Sequence, residues 1–247
     1  MKVFFCAWCM SMGSAIAAPA TITGRSEAGF VMSRGNTDTE TANARLNIVR
    51  ESDRWRHNLD VGGLYGRSTE AEIAARWNFF WQTDRRFGND AFWFGNVRYE
   101  DDRFSGFDYQ GTVSVGTGHE FITTQSTKLH AQFGVGYRQL RTELLTLDPA
   151  GIVIGRAQGE QRSDFITSGA INFEHAFNDS TKLVNTLSFE SGSSNTLTRD
   201  ELSLQVKMNQ MLAVSLGLSI RKNSNPPAPL EQRDTLTTVN LVYERKK

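Results

Sequence analysis

The sequence predicts an all-β fold, a transmembrane antiparallel up-and-down β-barrel of about 12 strands. Three observations carry this: long segments of strict apolar–polar alternation, connections that alternate between tight and long, and aromatic residues at both ends of the apolar parity. The clearest segment is Lys128-Leu129-His130-Ala131-Gln132-Phe133-Gly134-Val135-Gly136-Tyr137-Arg138. Leu129, Ala131, Phe133, Val135 and Tyr137 share one parity, while His130, Gln132 and Arg138 occupy the other. Successive strand side chains point to opposite faces, so the segment has one apolar and one polar face. Its length exceeds the usual globular strand and suits a tilted bilayer crossing of about ten residues.

The same device recurs along the chain. The first strand is expected at about Thr23 to Ser33 and the second at about Glu40 to Arg50, with Ala44, Leu46 and Ile48 set against Asn43, Arg45 and Asn47. The third sets Trp55, Leu59, Val61 and Tyr65 against Arg56, Asn58 and Asp60. The fourth sets Ile73, Ala75, Trp77, Phe79 and Trp81 against Glu72, Arg76, Asn78 and Gln82. Trp93, Val97 and Tyr99 oppose Asn96, Arg98 and Glu100 in the fifth, and Tyr109, Val113, Val115 and Phe121 oppose Thr112, Ser114 and Glu120 in the sixth. The Lys128–Arg138 stretch is the seventh, followed by the longest expected loop, about Thr142 to Gln161. Phe165, Ile171, Phe173 and Phe177 mark the eighth; Leu183, Leu187 and Phe189 the ninth; Leu202, Leu204, Val206 and Met208 the tenth. Leu212 to Ile220 and Val239, Leu241 and Tyr243 mark the last two.

Tight connections are expected near Asp53, Gly88, Thr124, Asp179 and Asn209, and long ones near Asn36, Ser68, Phe104, Pro149, Ser194 and Pro227. Outer-membrane barrels pair tight periplasmic turns with longer external loops. Trp55, Trp81, Trp93, Phe121 and Phe177 lie beside tight turns; Tyr65, Tyr99, Tyr109, Tyr137 and Phe165 lie beside long loops. At about 3.3 Å per residue and a tilt near 40°, the two sets stand roughly 25 Å apart, the height of an apolar band between aromatic girdles. An inward apolar face, as in a soluble sandwich, would not sort tryptophan and tyrosine to its two ends.

Composition sets further bounds. Lys plus Arg and Asp plus Glu are each 27, so no broad basic field argues for nucleic acid. Lys2, the apolar run Val3 to Met12 and Ala15-Ile16-Ala17 read as a secretory signal over residues 1–17, leaving 18–247 as the barrel domain. Both cysteines, Cys6 and Cys9, fall in the signal, so disulfides and cysteine–metal sites are not expected afterwards. The expected location is the outer membrane of a Gram-negative bacterium, in contact with outer-membrane lipids, lipopolysaccharide and the barrel-assembly machinery. No cofactor is expected, and the oligomeric state is left open.

The stretch Gly29-Phe30-Val31-Met32-Ser33-Arg34-Gly35-Asn36-Thr37-Asp38-Thr39 resembles the N-terminal signature of the YdiY-like family, named for a salt-induced outer membrane protein. The strand layout extends the resemblance over essentially the whole mature chain. It implies an outer-membrane β-barrel with no settled biochemical activity and no agreed functional residues. One departure is the end of the chain, Tyr243-Glu244-Arg245-Lys246-Lys247, where such barrels often finish on an aromatic residue.

The candidate functional residues are the inward charges Arg45, Arg56, Asp60, Glu72, Arg76, Arg98, Glu100, His130, Arg138, Glu174 and Lys207. Isolated charges in a dry lumen are costly, so these must be hydrated or paired. Two arrangements satisfy that: an ion-pair network that fills the lumen, or a narrow aqueous path with mixed charges. The first, an occluded barrel with a structural or envelope-stress role, is preferred. A narrow diffusion pore is the alternative, and a lipid hydrolase is third. His57, His119 and His175 share the lipid-facing parity near tight turns, so no catalytic residue is assigned. Asp38, Glu40, Asp101 and Asp102 at external strand ends could bind a divalent ion, but they lack a metal-spacing motif and read as loop-solvating groups.

Overall fold

The computed structural model describes residues 20–33, 39–68, 72–88, 90–102, 105–147, 153–227 and 230–246. The signal segment 1–17 and the Gly35-Asn36-Thr37-Asp38 run lie outside them, as does Asp38 among the candidate acids. The first six strands are β1 (Thr21–Ser33), β2 (Thr39–Glu51), β3 (Trp55–Ser68), β4 (Glu72–Phe87), β5 (Ala91–Asp102) and β6 (Phe107–Thr123). The rest are β7 (Thr127–Leu147), β8 (Val153–Ala176), β9 (Thr181–Gly192), β10 (Thr196–Lys207), β11 (Leu212–Asn223) and β12 (Arg233–Lys246). No helix occurs among the described residues.

Each strand pairs antiparallel with its sequence neighbours, and β1 pairs with β12 to close the barrel. Closure gives every strand a hydrogen-bonded neighbour on both sides, the β1–β12 ladder running from Thr23↔Lys246 to Ala28↔Leu241. The expected all-β, up-and-down, twelve-strand architecture is what forms.

Alternation orients every wall. Phe30, Leu46, Val61, Val113, Val115, Phe133, Val135, Leu216, Val239 and Leu241 all face outward and are exposed. The opposite parity carries Asp60, Arg98, Glu100, Thr112, Ser114, Arg138, Gln205, Ser215 and Asn240, all buried. A soluble domain reverses this distribution. The apolar effect here drives side chains toward acyl chains and leaves the polar parity to fill the tube.

The five tight connections span 52–54, 88–90, 124–126, 177–180 and 208–211. Side chains shape several: Ser52 Oγ, Thr124 Oγ1, Asn178 Oδ1 and Asn209 Oδ1 each accept backbone N–H groups within their turns. Gly88 supplies the left-handed residue of the β4–β5 turn, at φ +65°.

The opposite end differs from the loop lengths expected. The stretch expected as the longest loop, Thr142 to Gln161, is mostly hairpin, because β7 continues to Leu147 and β8 starts at Val153. Ser191 to Thr198 is likewise mostly strand, since β9 ends at Gly192 and β10 begins at Thr196. In both stretches the antiparallel ladder continues through polar residues such as Glu143, Gln158, Ser191 and Thr196. Composition alone reads such residues as loop.

Candidate functional site: the charged lumen

The inward parity of β5 builds the site. Phe92, Phe94, Asn96, Arg98, Glu100 and Asp102 succeed one another on that wall, apolar toward the tight-turn end and ionic toward the long-loop end. The two rings fit because the facing walls are bare. Phe92 lies over Gly118, and Phe94 lies within 2.7–2.8 Å of where Cβ atoms on Gly116 and Gly134 would stand. His130 meets the Phe92 ring edge-on at 6.2 Å. Beside them, Gln82, in register with Asn96, and Gln132 exchange amide hydrogen bonds of 3.0 and 3.1 Å between β4 and β7, and Gln82 also donates to Asp84.

Above the rings lies a belt of ion pairs. Arg98 donates through Nε and Nη2 to the two oxygens of Glu190 at 2.7 and 2.6 Å, a bidentate pair from β5 to β9. Arg199 on β10 donates to the same carboxylate at 3.0 Å. Arg221 on β11 bonds Glu100 and also Asp102, the latter at 2.7 Å, and Arg76 stands 3.9 Å from Asp102. On the adjoining wall Arg45 joins Asp60 at 2.8 Å and Glu201 at 3.0 Å. Arg98, Glu100 and Arg221 are buried, so these pairs are shielded from water far more than surface pairs.

Arg138 anchors the long-loop mouth. Fully buried, it donates to Asp164 at 3.1 and 2.8 Å and to the Asn195 carbonyl at 2.7 Å. Asn195 in turn donates to Asn223 Oδ1 and accepts from Ser224 Oγ and the Asn225 N–H, tying the β9–β10 turn to the segment after β11. Leu140, Ile166, Leu197 and Phe107 are buried beside this mouth.

Among the expected inward charges, the belt brings together Arg45, Asp60, Arg76, Arg98 and Glu100, with Arg138 beside it. Glu174 sits at the tight-turn rim between Lys128 and Lys182, at 3.6 and 3.7 Å, and Lys207 is exposed at the same rim. Arg56 is in register with Asp84 near that end, and the side chain of Glu72 lies outside the described residues. Of the girdle residues, Trp55, Trp81, Trp93, Phe121, Phe177, Tyr65, Tyr137 and Phe165 are exposed on the outer surface, Phe165 at 84 %. Tyr99 and Tyr109 are half-buried, stacked on each other at 6.0 Å, with Trp77 5.0 Å from Tyr99 and the Arg141 guanidinium 5.4 Å above Tyr109.

Sequence reading missed Glu190, Arg199, Glu201 and Arg221, and it assigned Asp102 to a loop. All five lie on the parity opposite the apolar residues read as lipid-facing on their strands, which is the signal that finds them. Asp102 is the last residue of β5 and is buried against Arg221. Glu40 pairs with Arg67 at 2.8 Å, and no group of acidic or histidine ligands suited to a metal occurs among the described residues. His57 and His175 hydrogen-bond to Thr83 and Thr127, and His119 meets the Phe121 ring edge-on.

Comparison with known proteins bears on family. The chain is 24 % identical over 234 residues to "Uncharacterized protein YdiY" of Escherichia coli (strain K12), covering 89 % of this chain and 82 % of that protein. Among solved structures, an outer membrane channel from Pseudomonas putida F1 aligns at 10 % identity and a TM-score of 0.48, over 96 % of this chain and 100 % of that one. The translocator domain of the autotransporter NalP from Neisseria meningitidis aligns at 11 % identity and a TM-score of 0.46, over 91 % and 87 %. Residues 26–244 match the family described as "Protein of unknown function, DUF481"; this span runs from within β1 into β12, and the chain belongs to that family.

Proposed function

We propose that this protein is an outer-membrane β-barrel of a Gram-negative bacterium whose lumen is closed to solutes by its own ion pairs, giving it a structural role in the envelope. The observation that carries this reading is the bond of Arg221 to Glu100 and Asp102, between strands on opposite sides of the barrel. The Arg98–Glu190 pair likewise reaches from β5 to β9, across the tube rather than along its wall. A pore needs a continuous aqueous path, and interdigitated arginine–carboxylate pairs remove it. Residues 1–17 serve as the export signal in this reading, the apolar exterior meets lipid and lipopolysaccharide, and Tyr243 near the chain end meets the assembly machinery.

Planar-bilayer recording tests it. The wild-type barrel should be silent, and the Glu100→Ala/Asp102→Ala/Arg221→Ala variant should conduct. Steady wild-type channels would overturn it in favour of a narrow pore for ions or small solutes. One feature favours that second reading. Arg98 Nη1, Arg199 Nε, Ser168 Oγ and both amide atoms of Gln110 are buried without a protein hydrogen-bond partner, and such groups are normally served by ordered water.

A further inference from the structure

Two β-bulges lie side by side at the long-loop end of the wall. In the β6–β7 ladder Phe107 pairs with Thr142 and Tyr109 with Arg141, so Asp108 is an extra residue on β6. In the β7–β8 ladder Arg141 pairs with Gln161 and Glu143 with Gln158, so Gly159 and Glu160 together oppose Thr142. A bulge re-aims the side chains around it and is a built feature rather than a defect. Both irregularities fall beside the same two residues of β7, Arg141 and Thr142.

A cavity of about 180 Å³ lies at these bulges, lined by Asp108, Glu143, Arg156, Ala157 and Gln158. One water needs only about 10–15 Å³, so there is room for a single sugar ring. The cavity belongs to the outer face. Glu143 shares the parity of Arg141, whose guanidinium stands 3.7 Å from Asp108 and 5.4 Å above the Tyr109 ring. Tyr109 stacks on Tyr99, and Tyr99 meets Trp77, so three rings form a ledge beside the site. Tyrosine and tryptophan of this kind sit at the membrane–water interface.

The lining is polar and close to neutral. Glu143 is held by Arg156 at 2.6 Å, and Asp108 faces Arg141. A phosphate finds no surplus of positive charge here. Hydroxyl groups, which both donate and accept, find carboxylate acceptors next to guanidinium and amide donors. We propose that this cavity binds one sugar ring of lipopolysaccharide in the external leaflet, with Asp108 and Glu143 accepting from its hydroxyls and Arg156 and Gln158 donating to them. The inference rests on the outer-membrane reading and is independent of whether the lumen conducts. The aromatic ledge and the apolar wall meet the acyl chains of the same molecule.

The test is saturation-transfer NMR on the full-length barrel folded in deuterated detergent micelles. The probe is the water-soluble oligosaccharide left when rough lipopolysaccharide is fully deacylated. It should bind, and intact rough lipopolysaccharide added to the micelles should displace it, whereas phosphatidic acid, a phosphate lipid without sugar, should not. Asp108→Ala and Gln158→Ala should each weaken it about fivefold, the loss of one ordinary hydrogen bond. Glu174→Ala, at the opposite rim, should change nothing. Should Asp108→Ala fail to fold, Gln158→Ala decides, since that side chain is exposed. Absence of saturation transfer, affinity unchanged in the cavity variants, displacement by phosphatidic acid, or none by rough lipopolysaccharide would each overturn the proposal. A barrel silent in planar bilayers that binds no saccharide sinks this inference alone, and one that conducts and binds saccharide sinks only the closed lumen.

Discussion

Arg221 on β11 and Glu100 on β5 are ion-paired although their strands lie on opposite sides of a closed twelve-strand ring. Both side chains are 5 % exposed, and Arg221 also bonds Asp102 at 2.7 Å. Removing one partner leaves a desolvated charge, which costs more than removing both. Arg221→Met should destabilise the folded barrel by about 3 kcal/mol, and adding Glu100→Leu and Asp102→Leu should recover part of that loss. Equilibrium urea unfolding in vesicles measures both, and additive losses would contradict the pairing.

Phe92 and Gly118 make a second test of how the lumen is filled. A methyl group on Gly118 meets only the Phe92 ring, with no backbone atom among its nearest contacts. Gly118→Ala should cost about 1–3 kcal/mol through overpacking. Combined with Phe92→Leu it should cost clearly less than the two changes summed, because the smaller side chain vacates the contact.

Arg138 and Asn195 join the barrel wall to the mouth. Asn195→Ala should speed hydrogen exchange at Asn225, whose N–H donates to Asn195 Oδ1, while amides of the central β6 and β7 ladder keep their protection. Arg138→Lys should fall short of wild type in the same assay. A lysine cannot hold both Asp164 oxygens and the Asn195 carbonyl in one fixed plane.

Trp55, Trp77, Trp81 and Trp93 are exposed on the apolar outer surface. Tryptophan emission from the folded protein in vesicles should therefore be quenched by lipids brominated on their acyl chains and barely by aqueous iodide. The reverse pattern would place these rings in water and would contradict a lipid-facing exterior.

Strand number, the two faces of each wall and the position of every tight turn were legible in the chain, because a period of two and a turn-forming asparagine, serine or glycine are local properties. Parity alone placed Arg98, Glu100 and Arg138 inside. It said nothing of Glu190, Arg199 or Arg221 as their neighbours, since a strand's alternation tells which face a side chain takes and not what lies opposite. That depends on the register of each antiparallel pair, accumulated around the ring until β1 meets β12. The inward aromatics Phe92 and Phe94 ran against composition. They were explained only when the register set the glycines of β6 and β7 before them. Local alternation thus determined that there is a polar tube within an apolar shell, while the closed hydrogen-bond ladder decided which charges meet across it and where its seam stops.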